Sequence, residues 1–411
     1  MTRARSSALH GPEAPWRRIL ARWAVLPSLT CLALAVCGDA PPEPPPGPGE
    51  AMAGLGTGER GRFLLGRALF ERLATADEGL GPLYNEERCS DCHDQPAVGG
   101  GGTQRVRVLK ATRFADGRCD LLHAEGGDNI QRRATDLLVA HGMGPEEVPA
   151  AATATALMTA PSLLGLGLIE AVPDTVLAER ADPDDLDGDG ISGRLPRLPD
   201  GRTARFGRKG DASTLEDFVD TALRFELGFT TSAHPAEEAR NGVPVPADAD
   251  PMPDPEIDAP TLRHLTEYVR FLAPPAGAAP PAGAARDTLA QGAALLRQIG
   301  CTSCHREELR TGSSAAAPLS LQTFRPYSDL LLHDMGAELA DVCGADAGPG
   351  ELRTAPLWGL RYRDRLLHDG RAEDVPAAVS AHGGEAAGAR DALLALPADA
   401  RRAIVRFLTS L

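Results

Sequence analysis

Two pentapeptides, Cys89-Ser90-Asp91-Cys92-His93 and Cys301-Thr302-Ser303-Cys304-His305, pair two thiols with an imidazole at one fixed spacing. Each cysteine pair can form thioethers to the two vinyl groups of one haem, and the following histidine then stands beneath the iron as proximal ligand. Redox dithiols or zinc half-sites are the rival readings. A zinc ribbon must bring its pairs onto one metal, whereas 207 residues separate His93 from Cys301. Two such matches in a chain of 411 residues with eight cysteines are far from a chance event. Two covalently bound haem c groups are therefore expected, with Cys89, Cys92, His93, Cys301, Cys304 and His305 as their attachment residues.

Thioether attachment takes place outside the cytoplasm, so the rest of the chain should look exported. Arg3, Arg5, Arg17, Arg18 and Arg22 precede an apolar run from Trp23 to Val36, too short to span a bilayer comfortably and suited to a signal peptide. Leu34-Ala35-Val36-Cys37 resembles a lipoprotein cleavage box, which would place a lipid anchor on Cys37; Val36 is larger than usual there, so plain secretion stands beside it. A periplasmic or cell-envelope location is expected in either case. Six prolines between Pro41 and Pro48 make a stiff tether. The boundaries read as a leader over 1–37 and a tether over 38–54.

The net charge of −15 includes +4 from the five Arg and one Glu of residues 1–36, so the remainder carries −19. So acidic a surface argues against nucleic acid as a partner, while a basic redox carrier, a small cytochrome or a cupredoxin, is compatible with it. Cys119 and Cys343 remain once haem and leader cysteines are set aside. They could pair in an oxidising compartment, or be two unrelated buried thiols.

The elements that must hold these motifs repeat. Residues 274–286 form a Pro/Ala/Gly linker between two halves, 55–273 and 287–411. Apolar residues at helical spacing, Phe63 to Phe70 and Leu289 to Leu296, precede each motif, and an amphipathic helix ends each half, over 261–272 and 397–411, the latter with Asp399 as N-cap. Thr159-Ala160-Pro161-Ser162-Leu163-Leu164-Gly165-Leu166 echoes Thr354-Ala355-Pro356-Leu357-Trp358-Gly359-Leu360 with one residue inserted. The expected fold is mainly α, two cytochrome c-like domains with long loop insertions in the first, at 180–210 and 230–258, the latter a surface loop.

Four histidines follow Cys301: His305, His333, His368 and His382. The blocks Tyr327-Ser328-Asp329-Leu330-Leu331-Leu332-His333-Asp334-Met335-Gly336, Leu366-Leu367-His368-Asp369-Gly370-Arg371 and Ala381-His382-Gly383-Gly384-Glu385, with Arg353 to Leu360, resemble the di-haem oxidoreductase family. So do Gly165 to Asp174, Asp187 to Arg194 and Arg205-Phe206-Gly207-Arg208-Lys209-Gly210, and the resemblance runs from about Gly61 to Leu411. That family is similar to the bacterial di-haem cytochrome c peroxidases, which implies an oxidoreductase with peroxide as the leading substrate. Where those peroxidases carry a distal methionine, fourteen residues after the His-Asp-Gly histidine, this chain has His382. The resemblance thus makes His382 the sixth ligand of the second haem iron, opposite His305, with Met335 as its rival. His333 and His368 read as pocket or propionate contacts, and Trp358 as a core aromatic or a ring between the haems. For the first iron, His123, His141, Met143, Met158 and Lys209 are all open, as is a vacant sixth position. No catalytic acid or base can be named.

Asp185, Asp187 and Asp189 alternate ahead of Gly190 like the start of an EF-hand calcium loop, although Pro196 occupies the place of its bidentate glutamate. A partial calcium site or a solvated acidic turn would each produce this pattern. Two rivals to the peroxidase reading stand: an electron-transfer protein with both irons six-coordinate, and thiol oxidation through Cys119 and Cys343, which lack a reactive Cys-x-x-Cys setting.

Overall fold

A helix pair braces each haem motif. The computed structural model describes residues 45–278 and 281–411; the leader, Cys31 and Cys37 lie outside the described residues. The opening helix of the first half, Thr57–Glu71, buries Phe63, Gly66 and Phe70 against the helix Ala259–Phe271. Asp258 caps the latter by accepting from the Thr261 N–H at 2.8 Å. Phe63 and Phe70 both pack on the Tyr268 ring, with centroids 5.0 and 4.9 Å apart. Burying each such ring contributes about 1.5–3 kcal/mol. In the second half, Ala284–Gln298 crosses Ala398–Leu408 in the same way. This last helix opens at Pro397, so Asp399 lies in its first turn rather than at its N-cap. A favourable charge at a helix N-terminus explains it there equally well.

Both crossings rest on a glycine. A methyl group on Gly66 would come within 2.0 Å of the His264 carbonyl oxygen, and one on Gly292 within 2.2 Å of the Ala403 carbonyl. The duplicated Thr-Ala-Pro segments correspond too. Gly165 and Gly359 have φ of +76° and +71°, a conformation that glycine adopts without strain, and each opens a short helical turn. Pro274 packs on the first of these glycines and Pro275 on the second, so the beginning of the linker is part of the packed structure. The helix that follows starts at Ala284, within the expected linker. At the other boundary, Ala51 and Met52 are buried, and Met52 N–H bonds to the Phe271 carbonyl at 2.9 Å, although a tether was expected to Gly54.

The helical expectation is right in part. About 33% of the structure is helix and 14% strand. The strand content includes an antiparallel sheet that periodicity had not revealed: Arg107–Ala115 pairs with Arg118–Asp120, Asn129–Ile130 and Ala154–Thr159. Its long strand exposes Arg113 and Phe114 and buries Ala111 and Thr112. The stretches 180–210 and 230–258 are largely irregular, yet both are tied down. Arg194 pairs with Leu332, and Thr231 with Ile257. The helix Leu215–Leu227 between them carries Leu215, Val219, Leu223 and Leu227 into the main core. No described helix is long and apolar enough to cross a membrane.

Residues 45–411 form one unit in which the halves interlock. Cys119 and Cys343 are joined by a disulfide, Cα atoms 5.8 Å apart, linking the sheet to the second half across 224 residues. Lys209 is buried, and its ammonium donates to the carbonyls of Gly348, Pro349 and Glu351 at 3.3, 2.8 and 2.7 Å.

Candidate haem sites

The two Cys-x-x-Cys-His motifs adopt corresponding geometry. Cys89–Cys92 is a single helical turn closed by a bond from the His93 N–H to the Cys89 carbonyl at 3.2 Å. Cys301–Ser303 is a tighter turn opened by Gly300 in the left-handed region, and the His305 N–H reaches the Cys301 carbonyl at 3.0 Å. All four cysteines are free thiols, in a chain whose other described pair is oxidised. Burial pushes the Cys89 thiol up to about 12 and the Cys301 thiol up to about 11. Cys89 lines an apolar slot with Leu223, Leu227 and Leu265.

Each proximal imidazole is oriented from behind. His93 Nδ1 lies 3.1 Å from the Gly100 carbonyl and His305 Nδ1 lies 3.0 Å from the Tyr327 carbonyl. A carbonyl only accepts, so Nδ1 carries the proton and Nε2 keeps its lone pair for a metal. Burial drives both histidines down to about 4, which holds them neutral at ordinary pH.

The supporting loops match as well. Leu163 N–H bonds to the Gly99 carbonyl at 3.2 Å, and Leu357 N–H to the Pro326 carbonyl at 2.8 Å. In both halves, therefore, the Thr-Ala-Pro segment holds the residue immediately before the one that orients the histidine. Two half-buried, neutral imidazoles oriented through Nδ1, each following a pair of free thiols, are a donor set that fits a haem c at each motif, and the Pro161 carbonyl also lies against the His93 ring.

His382 follows the helix Val375–Ser380. Its Nδ1 bonds to the Ala378 carbonyl at 2.8 Å, leaving Nε2 free, and burial lowers its proton affinity. A charge on it, as on His333, would further depress His305. Met335 is next door: its carbonyl accepts from the Gly383 N–H at 3.2 Å.

His333 is held at both ring nitrogens. Its Nδ1 lies 2.7 Å from Glu385 Oε2 and its Nε2 lies 3.0 Å from Asp329 Oδ2, with Cys304 Sγ 3.6 Å away. Burial alone would favour the neutral ring. The bonds to Asp329, Cys304 and Glu385 override it and push His333 up to about 12. His368, also buried, lies with Nε2 2.6 Å from Asp341 Oδ2, close enough for an ion pair although not aligned as a hydrogen bond.

The first iron's sixth position is less defined. Lys209 is occupied by three carbonyls and lies 3.6 Å from Asp341, which fits the salt-bridging reading and not iron ligation. His123 is exposed, and His141, also exposed, lies 3.3 Å from Asp248. Met143 packs beside Leu138. Only Met158 lies on a strand that runs directly to the haem loop, where the Ala160 carbonyl accepts from the Gly102 N–H at 2.9 Å. Trp358 packs with Phe324 at 5.6 Å and against Gly165, at the seam between the halves.

In the acidic loop, Asp185 and Asp187 gather with Asp182, their oxygens within 4.8 Å of one another. Asp189 is not of this group; its Oδ1 accepts from the Ile191 N–H at 2.9 Å. Two other groups of this kind were not foreseen: Cys304, Asp329 and His333 beside the second motif, and Glu237, Asp250, Asp254 and Glu256. Burial and the neighbouring carboxylates push Glu237 up to about 9. Asp329 and Glu385 were also missed as partners of His333, although both lie in the blocks that carry the family resemblance.

Taken together, the duplicated helix pairs and matched imidazoles define a protein built around two haem sites. Residues 154–411, well over half of the chain, match the family described as "Di-haem oxidoreductase, putative peroxidase", and the chain belongs to that family. The first motif lies ahead of the matched region. No curated protein matches the sequence. Among solved structures, hydrazine synthase of Kuenenia stuttgartiensis is similar at 12% identity, covering 95% of this chain and 100% of that one with a TM-score of 0.42. A MauG-like protein associated with microbial copper homeostasis is similar at 15% identity, covering 91% and 94%, with a TM-score of 0.39. At such scores neither likeness bears on function.

Proposed function

We propose that this di-haem oxidoreductase is an exported c-type cytochrome that passes electrons between two covalently held haems and reduces peroxide. The observation that carries the reading is the matched pair of motifs, each with free thiols and a neutral imidazole oriented through Nδ1. In this reading Cys89, Cys92, Cys301 and Cys304 hold the haems, His93 and His305 are proximal ligands, and His382 closes the second iron. Bound haem supplies the electron storage and, where its iron can open, the site for peroxide. The chain's own part is to fix the rings, keep them neutral and exclude water.

Asymmetry between the sites supports a division of labour. In the second half His382, held through Nδ1 on the Ala378 carbonyl, would be the sixth donor, whereas among the described residues His123 and His141 of the first half are exposed. The haem at His93 is therefore the reactive one and the haem at His305 the electron-accepting one. A small cytochrome or cupredoxin would be the donor, the location periplasmic or on the cell envelope, and Cys37 a lipid anchor. The architecture would be two cytochrome c-like domains, the first extended by the insertions. A calcium ion at the acidic loop would draw on Asp185 and Asp187 with Asp182, whose oxygens lie together, rather than on Asp189.

The second reading, an electron carrier, follows if both irons are six-coordinate. A spectrum of the reduced protein with and without carbon monoxide separates them. Binding at one haem is expected; binding at neither leaves the carrier.

A further inference from the structure

We propose that Arg208, Arg353 and Arg363 form a cationic cradle for haem propionates, with Arg363 serving the haem at His93. The inference rests on the di-haem reading and assigns residues that the motifs do not contain. The three guanidiniums come from both halves, and Arg353 N–H bonds to the Arg208 carbonyl at 2.9 Å. Among the described residues none of the three is in an ion pair, unlike Arg194, Arg205 or Arg270.

Their neutral contacts leave donors unused. Arg208 Nη2 donates to the Thr159 carbonyl at 3.1 Å while its Nε is buried without a partner. Arg353 Nε donates to the Gly207 carbonyl at 2.8 Å. The Arg363 guanidinium lies directly on Gly101, where a methyl group would be 2.0 Å from Nη1. Gly101 is the neighbour of Gly100, whose carbonyl orients His93. A side chain of the second half thus reaches the proximal loop of the first haem.

The three side chains are half-buried, and cations without a paired carboxylate are costly there unless an anion completes them; Asp211 and Asp329 near Arg353 and Asp364 near Arg363 offset only part of this. Burial is the main cause that drives Arg208 down to about 9 and Arg353 down to about 10, and Arg363 is also lowered. The charges of Arg363 and Arg353 add to the effect on Arg208, and Asp369 and Asp341 only partly oppose it. The missing anion must be planar and able to take a fork of N–H donors, which describes a carboxylate. Every haem brings two propionates, and the cluster lies beside one motif with its backbone joined to the other half.

The test is a spectroelectrochemical titration of the full-length holoprotein at a series of pH values, after mass spectrometry has counted the haems. The couple of the first haem is the one that H382M leaves unmoved. A propionate paired with arginine stays ionised, so the wild-type couple should be flat between neutral and mildly alkaline pH. R363L should shift that couple negative and make it fall with rising pH, and R363K should restore the wild-type profile. If R363L loses haem, R208Q is expected to show the same negative, pH-dependent shift. R363L or R208Q with two haems and a wild-type profile overturns the cradle. A wild-type chain without two haems overturns the di-haem reading itself, and the cradle with it.

Discussion

Gly66 faces the His264 carbonyl so closely that the opening and closing helices of the first half touch backbone to backbone. Gly292 and Ala403 repeat the relationship in the second half. A side chain at either glycine must drive the helices apart, and overpacking of this kind costs about 1–3 kcal/mol or more. Gly66→Ala and Gly292→Ala should each lower the thermal midpoint and loosen the haem of their own half first. Unchanged midpoints in both would contradict the crossing.

Covalent attachment is checked by mass. The intact protein should carry two haems, and Cys89→Ala and Cys301→Ala should each disturb one attachment site. A mass equal to one haem or none in the unaltered chain would end the di-haem reading.

His382→Met should raise the potential of one of two couples, because imidazole favours ferric iron more than thioether does. The other couple should stay where it is. Two unmoved couples would remove His382 from the iron and turn attention to Met335.

Opening the disulfide tests the interlock. Cys119 and Cys343 close a loop of 224 residues, and a bridge of that span contributes on the order of 2–5 kcal/mol. Cys119→Ser should lower the denaturant midpoint accordingly while both haems stay attached.

Stability should also fall with pH through the carboxylate group near the end of the first half. Burial is the largest cause raising Glu237 to about 9 and Glu256 to about 7, against an ordinary value of 4.5. The folded state therefore holds these protons more tightly than the unfolded chain does. Its advantage is full below about 4.5 and is lost as pH rises through about 7 and then about 9. Chemical denaturation at pH 5, 7 and 9 (about these values) should show the decline, and Glu237→Gln should flatten its upper part. A wild-type curve with no slope would mean that these carboxylates are ionised throughout.

The haem motifs and the paired helices were legible because each depends on local spacing: two residues between cysteine and cysteine, or the helical repeat of Phe63 and Phe70. The Thr-Ala-Pro repeat was legible as well, since both copies need a left-handed glycine at the same step. The sheet was not. Arg107–Ala115 alternates only weakly and gains its order from partners up to Thr159. The arginine cluster escaped for a related reason. Arg208 and Arg363 are 155 residues apart and become neighbours only through the fold.

The long-range disulfide imposes an order on assembly. Cys119 cannot meet Cys343 until almost half of the second half has been made, while Cys89 and Cys92 are available much earlier and Cys301 and Cys304 shortly before. An oxidant acting on the nascent chain would offer Cys119 four wrong partners before the right one. In the proposed holoprotein those four are withdrawn as they become thioethers. Haem attachment at both motifs would then act as an editing step that leaves Cys119 a single choice, and an apo-chain exposed to oxidant should scramble.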